Sequence, residues 1–250
     1  MSLEKLREHR TLWERKASLR IVYRSWFERL FATLPEAGVV LEVGAGPAFL
    51  AEAARRSRPR LEWISTDITA TDWNDVCADA QQLPVRPGAL SAVVGLDVLH
   101  HLDAPRRFFE AAAGALAPGG SLVLIEPWIS AASLPVYRWL HQEDCRPGLD
   151  PWHPFADRPD KAPFDGDQAL PWKLLRVTPP ATWAALGFDA PRVERINGLA
   201  YLLSLGFRPA SLLPSWLAGP LLGIDRLLEP LSALLAFRAL LVWRRARTPA

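Results

Sequence analysis

Apolar residues recur at three- and four-residue steps near the start of the chain: Leu3, Leu6, Trp13, Leu19, Val22, Tyr23, Trp26, Phe27, Leu30 and Phe31. That period predicts an amphipathic helical region over residues 3–34, with Arg7, Arg10, Arg15, Lys16, Arg20 and Arg24 on its other face. The pattern then changes. "VVLEVG", residues 39–44, is the continuous apolar run of a parallel strand covered on both faces, and a helix follows from about Pro47, where proline is accepted in a first turn. "LEWISTD" (61–67) reads as a second strand, "DAQQLP" (79–84) as a loop, and "ALSAVVGLDVLHHL" (89–102) as a strand running into a short helix. "PRRFFEAAAGALAPGG" (105–120) reads as a helix closed by a Pro-Gly-Gly turn, and "SLVLIEP" (121–127) as the next strand. This alternation predicts a parallel sheet with right-handed crossovers.

Beyond Pro127 the spacing becomes irregular. Residues 128–172, rich in Trp, Pro, His and Asp, form a long insertion of the sort that is usually functional. "PPATWAALGF" (179–188) predicts a helix and "PRVERIN" (191–197) a strand. Residues 199–235 are leucine-rich but punctuated by Pro209, Pro214, Pro220 and Pro230, and "FRALLVWRRA" (237–246) predicts the last strand. The pattern gives one α/β domain over residues 1–250, with an N-terminal helical cap (1–36), a first insertion (128–172) and a hydrophobic second one (199–235).

Composition narrows the setting. With 250 residues, 50% apolar and 22% charged, the chain is globular and sized for one domain with insertions. A net charge of +2, with no basic stripe and no added module, gives no footprint for nucleic acid. Cys77 and Cys145 lie far apart, without metal or disulfide spacing. The charged start "MSLEKLREHRTLWERK" is no signal peptide, and no apolar run reaches the ~20 residues of a spanning helix. A reducing, cytoplasmic setting is expected.

The glycine turn after the first strand suits a nucleotide-like ligand. A dinucleotide fingerprint needs a small third residue after Gly44 and Gly46, but Phe49 stands there; a phosphate-binding Walker loop needs a lysine that the turn lacks. What remains is Glu42 at the strand end, the two glycines, Asp67 at the end of the next strand, where a carboxylate can take ribose hydroxyls, and Asp79 on a loop within reach of an adenine. The stretches "VVLEVGAGPAFL", "STDI", "DAQQLPVRPGALSAVVGLDVLHHL" and "EAAAGALAPGGSLVLIEP", in that order over residues 39–127, resemble the class I S-adenosylmethionine-dependent methyltransferases, in particular the type 11 small-molecule group.

The resemblance implies a Rossmann-like, seven-stranded, mostly parallel sheet and S-adenosyl-L-methionine as cofactor. Residues 42–46 would wrap its methionine part, with Gly44 and Ala45 in close backbone contact and Leu96 bordering the amino group. Asp67 would take the ribose hydroxyls, Ile68 would pack on the adenine, and Asp79 with Ala80 would address the adenine edge. Many relatives carry glycine where this chain has Ala48.

Methyl transfer needs positioning and exclusion of water more than it needs a base. His100 and His101 in "VLHHL", and His141 with Glu143 in "RWLHQED", are the base candidates, with His101 and His141 put forward. His141, Glu143, Asp144, Asp150 and His153 crowd one segment, but its broken spacing reads as a solvated loop, and no metal is expected. Trp128, Tyr137, Trp139, Trp152, Phe155, Phe164 and Trp172 predict an aromatic lid for a small hydrophobic, aromatic or lipid-like acceptor, methylated first of all on oxygen. Residues 199–235 complete the pocket, pack on the N-terminal helix, or rest on a membrane surface with Trp216 at the interface and Arg208, Arg226, Arg238 and the basic termini near lipid phosphates. The other class of function left open is a non-catalytic subunit that keeps the fold and binds a partner or a membrane.

Overall fold

The computed structural model describes residues 3–158 and 160–247. Its centre is a seven-stranded sheet of β1 (Gly38–Val43), β2 (Leu61–Asp67), β3 (Val76–Cys77), β4 (Leu90–Leu96), β5 (Leu116–Pro127), β6 (Arg192–Asn197) and β7 (Ala236–Arg244). The order is β3-β2-β1-β4-β5-β7-β6, and only β7 runs antiparallel to its neighbours. This is the Rossmann-like, mostly parallel sheet that the alternation predicts. Strand order reverses between β1 and β4, and a crevice opens there beyond the strand ends. The pairings Glu42 with Ser65 and Val43 with Gly95 bring the ends of β1, β2 and β4 to one edge.

Helices cover both faces: α1 (Leu3–Arg15), α2 (Ala17–Phe31), α3 (Phe49–Ser57), α4 (Pro105–Ala115), α5 (Ser133–Trp139), α6 (Leu170–Val177), α7 (Pro180–Ala185), α8 (Leu199–Ser204) and α9 (Ser215–Leu227). Strand β7 shows why both faces are apolar. Ala239, Leu241 and Trp243 join one core, with Phe108, Phe109 and Trp183; Leu240 and Val242 join the other, with Trp26, Phe27 and Leu50. Side chains that alternate between two covered faces leave no polar position except where a partner is supplied.

Four details differ from the sequence pattern. The helical region over 3–34 breaks at Lys16, whose ammonium turns away to donate to the carbonyls of Ser204, Gly206, Arg208 and Ala210 at 2.7–2.9 Å. The 128–172 insertion carries α5 and the start of α6, so it is less irregular than its prolines suggest. The "LAPGG" segment, read as a helix stop, extends β5 instead, because Leu116 pairs with Leu90 across a bulge. The two-residue β3 falls in a segment with no strand signal, and both of its residues are exposed. No helix among the described residues is long and apolar enough to cross a membrane.

Candidate active site

The turn after β1 is shaped by close approach. Gly44 and Gly46 have φ of +60° and +50°, and a Cβ on Gly44 would lie 2.6 Å from Val98 Cγ2. Ala48 also has φ +62°, a conformation that glycine adopts more readily. The loop is cross-braced to β2: Ala45 N–H donates to Thr66 O at 2.9 Å, and Gly46 N–H to Asp67 Oδ2 at 2.8 Å. Asp67 Oδ1 accepts from Thr69 N–H at 2.8 Å. The indole N–H of Trp73 and the side-chain amide of Asn74 donate to Gly46 O at 2.8 and 2.9 Å. Glu42 is buried, and its Oε2 accepts from Trp63 Nε1 at 2.7 Å; burial lifts its pKa to about 8. Asp79 Oδ1 accepts from Gln81 N–H at 2.8 Å.

These groups border a cavity of about 1280 Å³. The cofactor-binding candidates Glu42, Gly44, Ala45, Gly46, Asp67, Ile68, Asp79, Ala80 and Leu96 line it, as do His101 and His141. Ile68 is 49% exposed at its mouth, an unusual state for an isoleucine beside a cleft. The volume exceeds the ~300–1,000 Å³ typical of a single small-molecule pocket, which leaves room for two ligands side by side.

Helix α1 covers the glycine turn. Arg10 donates to Pro47 O at 2.6 Å and pairs with Glu52 at 2.8 Å, and its guanidinium lies over Trp73. His9 stacks on Phe207 with ring centroids 4.3 Å apart, and burial lowers its pKa to about 4. Sequence reasoning gave α1 an arginine-rich outer face; those arginines include the residue that grips the cofactor-type loop.

The two base candidates have separate fates. His141 is exposed at the cavity rim, where its Nδ1 accepts from Glu143 N–H at 3.2 Å. His101 lies deeper: its Nδ1 is buried with no partner, and burial beside His100 depresses its pKa to about 3. An imidazole held that low accepts a hydrogen bond but is a poor proton sink near neutral pH. Its neighbour His100 is the better-connected residue of the pair. His100 Nδ1 lies 2.8 Å from Glu126 Oε2, while Glu126 Oε1 accepts the N–H groups of Val98 and Leu99 at 2.9 and 2.7 Å. The buried Glu126, at the end of β5, thereby fixes the turn that carries both histidines.

The far wall comes from the two insertions. Tyr137, Phe155 and Phe164 line the cavity, as the aromatic-lid reading requires. Trp152 instead packs against Phe109 and Trp183 in the core, Trp128 is buried, and Trp139 is 75% exposed. Residues Tyr201, Leu202, Leu205 and Arg208 of the second insertion also reach the cavity, while α8 and α9 pack on α2. Arg238, expected at a lipid surface, is buried on β7: it pairs with Asp97, donates to Tyr201 Oη at 3.2 Å and lies over Trp26. Its alternating neighbours on β7 explain this burial, since residue 238 shares the covered face of Leu240 and Val242. Asp97, Arg238 and Tyr201 are cavity residues that spacing could not reveal, because the fold alone brings them together.

Comparison with known proteins agrees with this geometry. A family model described as a methyltransferase domain matches residues 14–162. No curated protein sequence matches the chain significantly. Among solved structures, a SAM-dependent methyltransferase from Archaeoglobus fulgidus superposes with a TM-score of 0.53 at 16% identity, covering 90% of this chain and 93% of that one. A chain solved in complex with the Haloferax volcanii Trm112 methyltransferase activator gives 0.53 at 13% identity, with 95% and 93% covered. The cyclase SpnF gives 0.51 at 15% identity, with 91% and 81% covered. Identities this low show the fold alone.

Proposed function

The chain belongs to the methyltransferase domain family and is an S-adenosylmethionine-dependent methyltransferase, and we propose that its acceptor is a small, largely apolar molecule methylated on oxygen. The observation that supports this reading is the cavity itself, whose lining joins Glu42, Asp67 and Asp79 around a glycine turn with the apolar side chains Tyr137, Phe155, Phe164 and Leu202. We read the whole chain as one methyltransferase domain with a cap and two insertions.

The residues present fit the cofactor. The missing Cβ of Gly44, against Val98, leaves backbone that a ligand can approach closely. Asp67 is already aligned by two backbone N–H groups, so its remaining lone pairs are held for ribose hydroxyls. Ile68, half exposed, gives an apolar face to a purine, and Asp79 with Ala80 meets its edge. Glu42 and Leu96 border the methionine end. The bound cofactor supplies a methyl group on a sulfonium, whose sulfur leaves as a neutral thioether.

The protein's own share is positioning. Helix α1 and the insertions cover the cleft and exclude water, and Glu126 holds the histidine turn rigid. His101 Nδ1, buried and without a protein partner, holds a lone pair toward the cavity, and the proton of the acceptor hydroxyl leaves past His141 at the rim. Much of the barrier falls through proximity alone. Labelled S-adenosylmethionine incubated with hydrophobic phenols, alcohols, carboxylic acids and amines tests the acceptor class. Label in methyl ethers or esters supports it, and label in amines alone overturns it.

A second feature concerns location. Leu212, Trp216 and Leu227 are 68%, 76% and 79% exposed, and Arg208 and Arg226 are exposed near them in the chain. We infer that this part of residues 199–235 rests on an anionic lipid surface, from which an apolar acceptor would enter. Co-sedimentation with anionic vesicles that Trp216→Ala weakens would support this; no co-sedimentation at low salt would end it.

A further inference from the structure

Two imidazoles and a carboxylate from separate parts of the chain converge on the cavity wall. His100 Nε2 lies 3.3 Å from Glu143 Oε2, and one ligand-capable atom from each of His100, His101 and Glu143 falls within 4.8 Å of the others. We propose that His100, His101 and Glu143 bind one divalent transition-metal ion, with Glu126 orienting His100 from behind.

Three observations support the site independently. The first is the support behind His100. Its Nδ1 is engaged by the Glu126 carboxylate at 2.8 Å, which leaves Nε2 toward Glu143. A carboxylate behind a ligating histidine is the usual means of fixing the ring and raising its basicity toward a metal. Glu143 is braced as well, by the side-chain amide of Gln168.

The second is an excess of lone pairs. His101 Nδ1 and Gln168 Oε1 are both buried without a partner, although a backbone hydrogen bond at Asp165 already acts on the His101 ring. Buried polar atoms are nearly always satisfied, so two orphans around one carboxylate point to a missing cation or donor. Charge agrees: Glu126 and Glu143 both face His100, while Asp97 is balanced by Arg238. Lys161 acts on His101 in the opposite sense.

The third is space. A Cβ on Gly166 would lie 2.9 Å from His101 Nδ1, 2.9 Å from Glu143 Oε2 and 2.8 Å from His100 Cδ2. The backbone there is not in the left-handed region, so glycine is required by the three side chains around it and not by the turn. Metal–ligand bonds of about 2.0–2.2 Å place neighbouring ligands roughly 3–4 Å apart, so the cluster needs only small adjustments.

Two imidazole nitrogens and one carboxylate suit Zn²⁺, Fe²⁺, Co²⁺ or Mn²⁺ in preference to Ca²⁺ or Mg²⁺, which take all-oxygen sets. All three ligands line the cavity, so the remaining coordination positions open into it. An oxygen of the acceptor fits such a position. An acceptor oxygen at the metal rests on the proposed oxygen methylation; the site itself rests on the cluster alone. The sequence concealed it, because His100 and His101 lie on the turn after β4 while Glu143 belongs to the first insertion.

The full-length protein, stripped with a chelator, is titrated with Co²⁺ and followed by visible d–d absorption, with Zn²⁺ as competitor. The expected result is one equivalent bound, displaced by Zn²⁺. His101→Ala should lower affinity at least about 100-fold and Glu126→Gln about 10- to 100-fold. Gly166→Ala should also weaken Co²⁺ while leaving S-adenosylhomocysteine affinity within about twofold, which separates loss of the site from loss of the fold. A protein that binds S-adenosylhomocysteine but takes up no Co²⁺ overturns the metal site and spares the methyltransferase reading. Uptake that survives both His101→Ala and Gly166→Ala also overturns it. Co²⁺ uptake lost in those variants, in a protein that ignores S-adenosylhomocysteine, supports the metal site and undoes the cofactor assignment instead.

Discussion

Gly44 sits against Val98 so closely that a Cβ would come within 2.6 Å of Val98 Cγ2. The contact joins the glycine turn to the turn after β4, and Val98 is itself held by Glu126 through its N–H at 2.9 Å. Three strand ends are thus tied into one rim. Gly44→Ala adds both this clash and a side chain at φ +60°. We predict a stability loss of roughly 1–3 kcal/mol and cofactor affinity down at least about tenfold. Urea denaturation and S-adenosylhomocysteine titration check the pair, and an unchanged protein would show that the turn is looser than described.

Glu42 sets stability against function. Burial raises its folded pKa to about 8, above an ordinary value of 4.5. A carboxyl shifted upward stabilises the fold fully below about pH 4.5, and that contribution is lost as the pH rises through about 8. Glu42→Gln keeps an oxygen for Trp63 Nε1 and removes the titration. Its unfolding free energy should therefore exceed that of the parent at pH 8, with the gap closing toward pH 5. Its cofactor affinity should fall. An equal pH slope in parent and variant would contradict the assignment.

Lys16 is a peg. Its buried ammonium donates to four carbonyls in residues 204–210, the strip that carries Leu205 and Arg208 to the cavity. Lys16→Met would leave those carbonyls without their donor, at roughly 1–3 kcal/mol. For a chain of this size that lowers Tm by roughly 2–10 °C. A thermal scan reads it directly, and a Tm shift below about 1 °C would mean that water replaces the ammonium freely.

The sheet and the glycine-turn end of the cavity were legible because their signals are local. A strand that must be apolar on both faces, a turn that needs Gly44 and Gly46, and an acid at the end of β2 each lie within a short stretch. The acceptor end was legible only in kind. Tyr137, Phe155 and Phe164 line the cavity, but Trp152 was taken into the core by Phe109 and Trp183, and nothing in its spacing said so. Arg238 looked like a surface cation because charge is usually solvated; its partner Asp97 lies just beyond the end of β4, which β5 separates from β7. His100 and His101 could not be told apart from the sequence, because the two are adjacent in it. Only the strand that brings Glu126 beneath them distinguishes their roles.

The central claim is that Asp67, with the glycine turn, holds the ribose of S-adenosylmethionine. Calorimetric titration of the parent, Asp67→Asn and Asp67→Ala proteins with S-adenosylhomocysteine tests it most directly. We predict one micromolar site in the parent, weakened about 10- to 100-fold in Asp67→Ala, with Asp67→Asn between the two. No binding to the folded parent, or equal affinity in all three proteins, would contradict it.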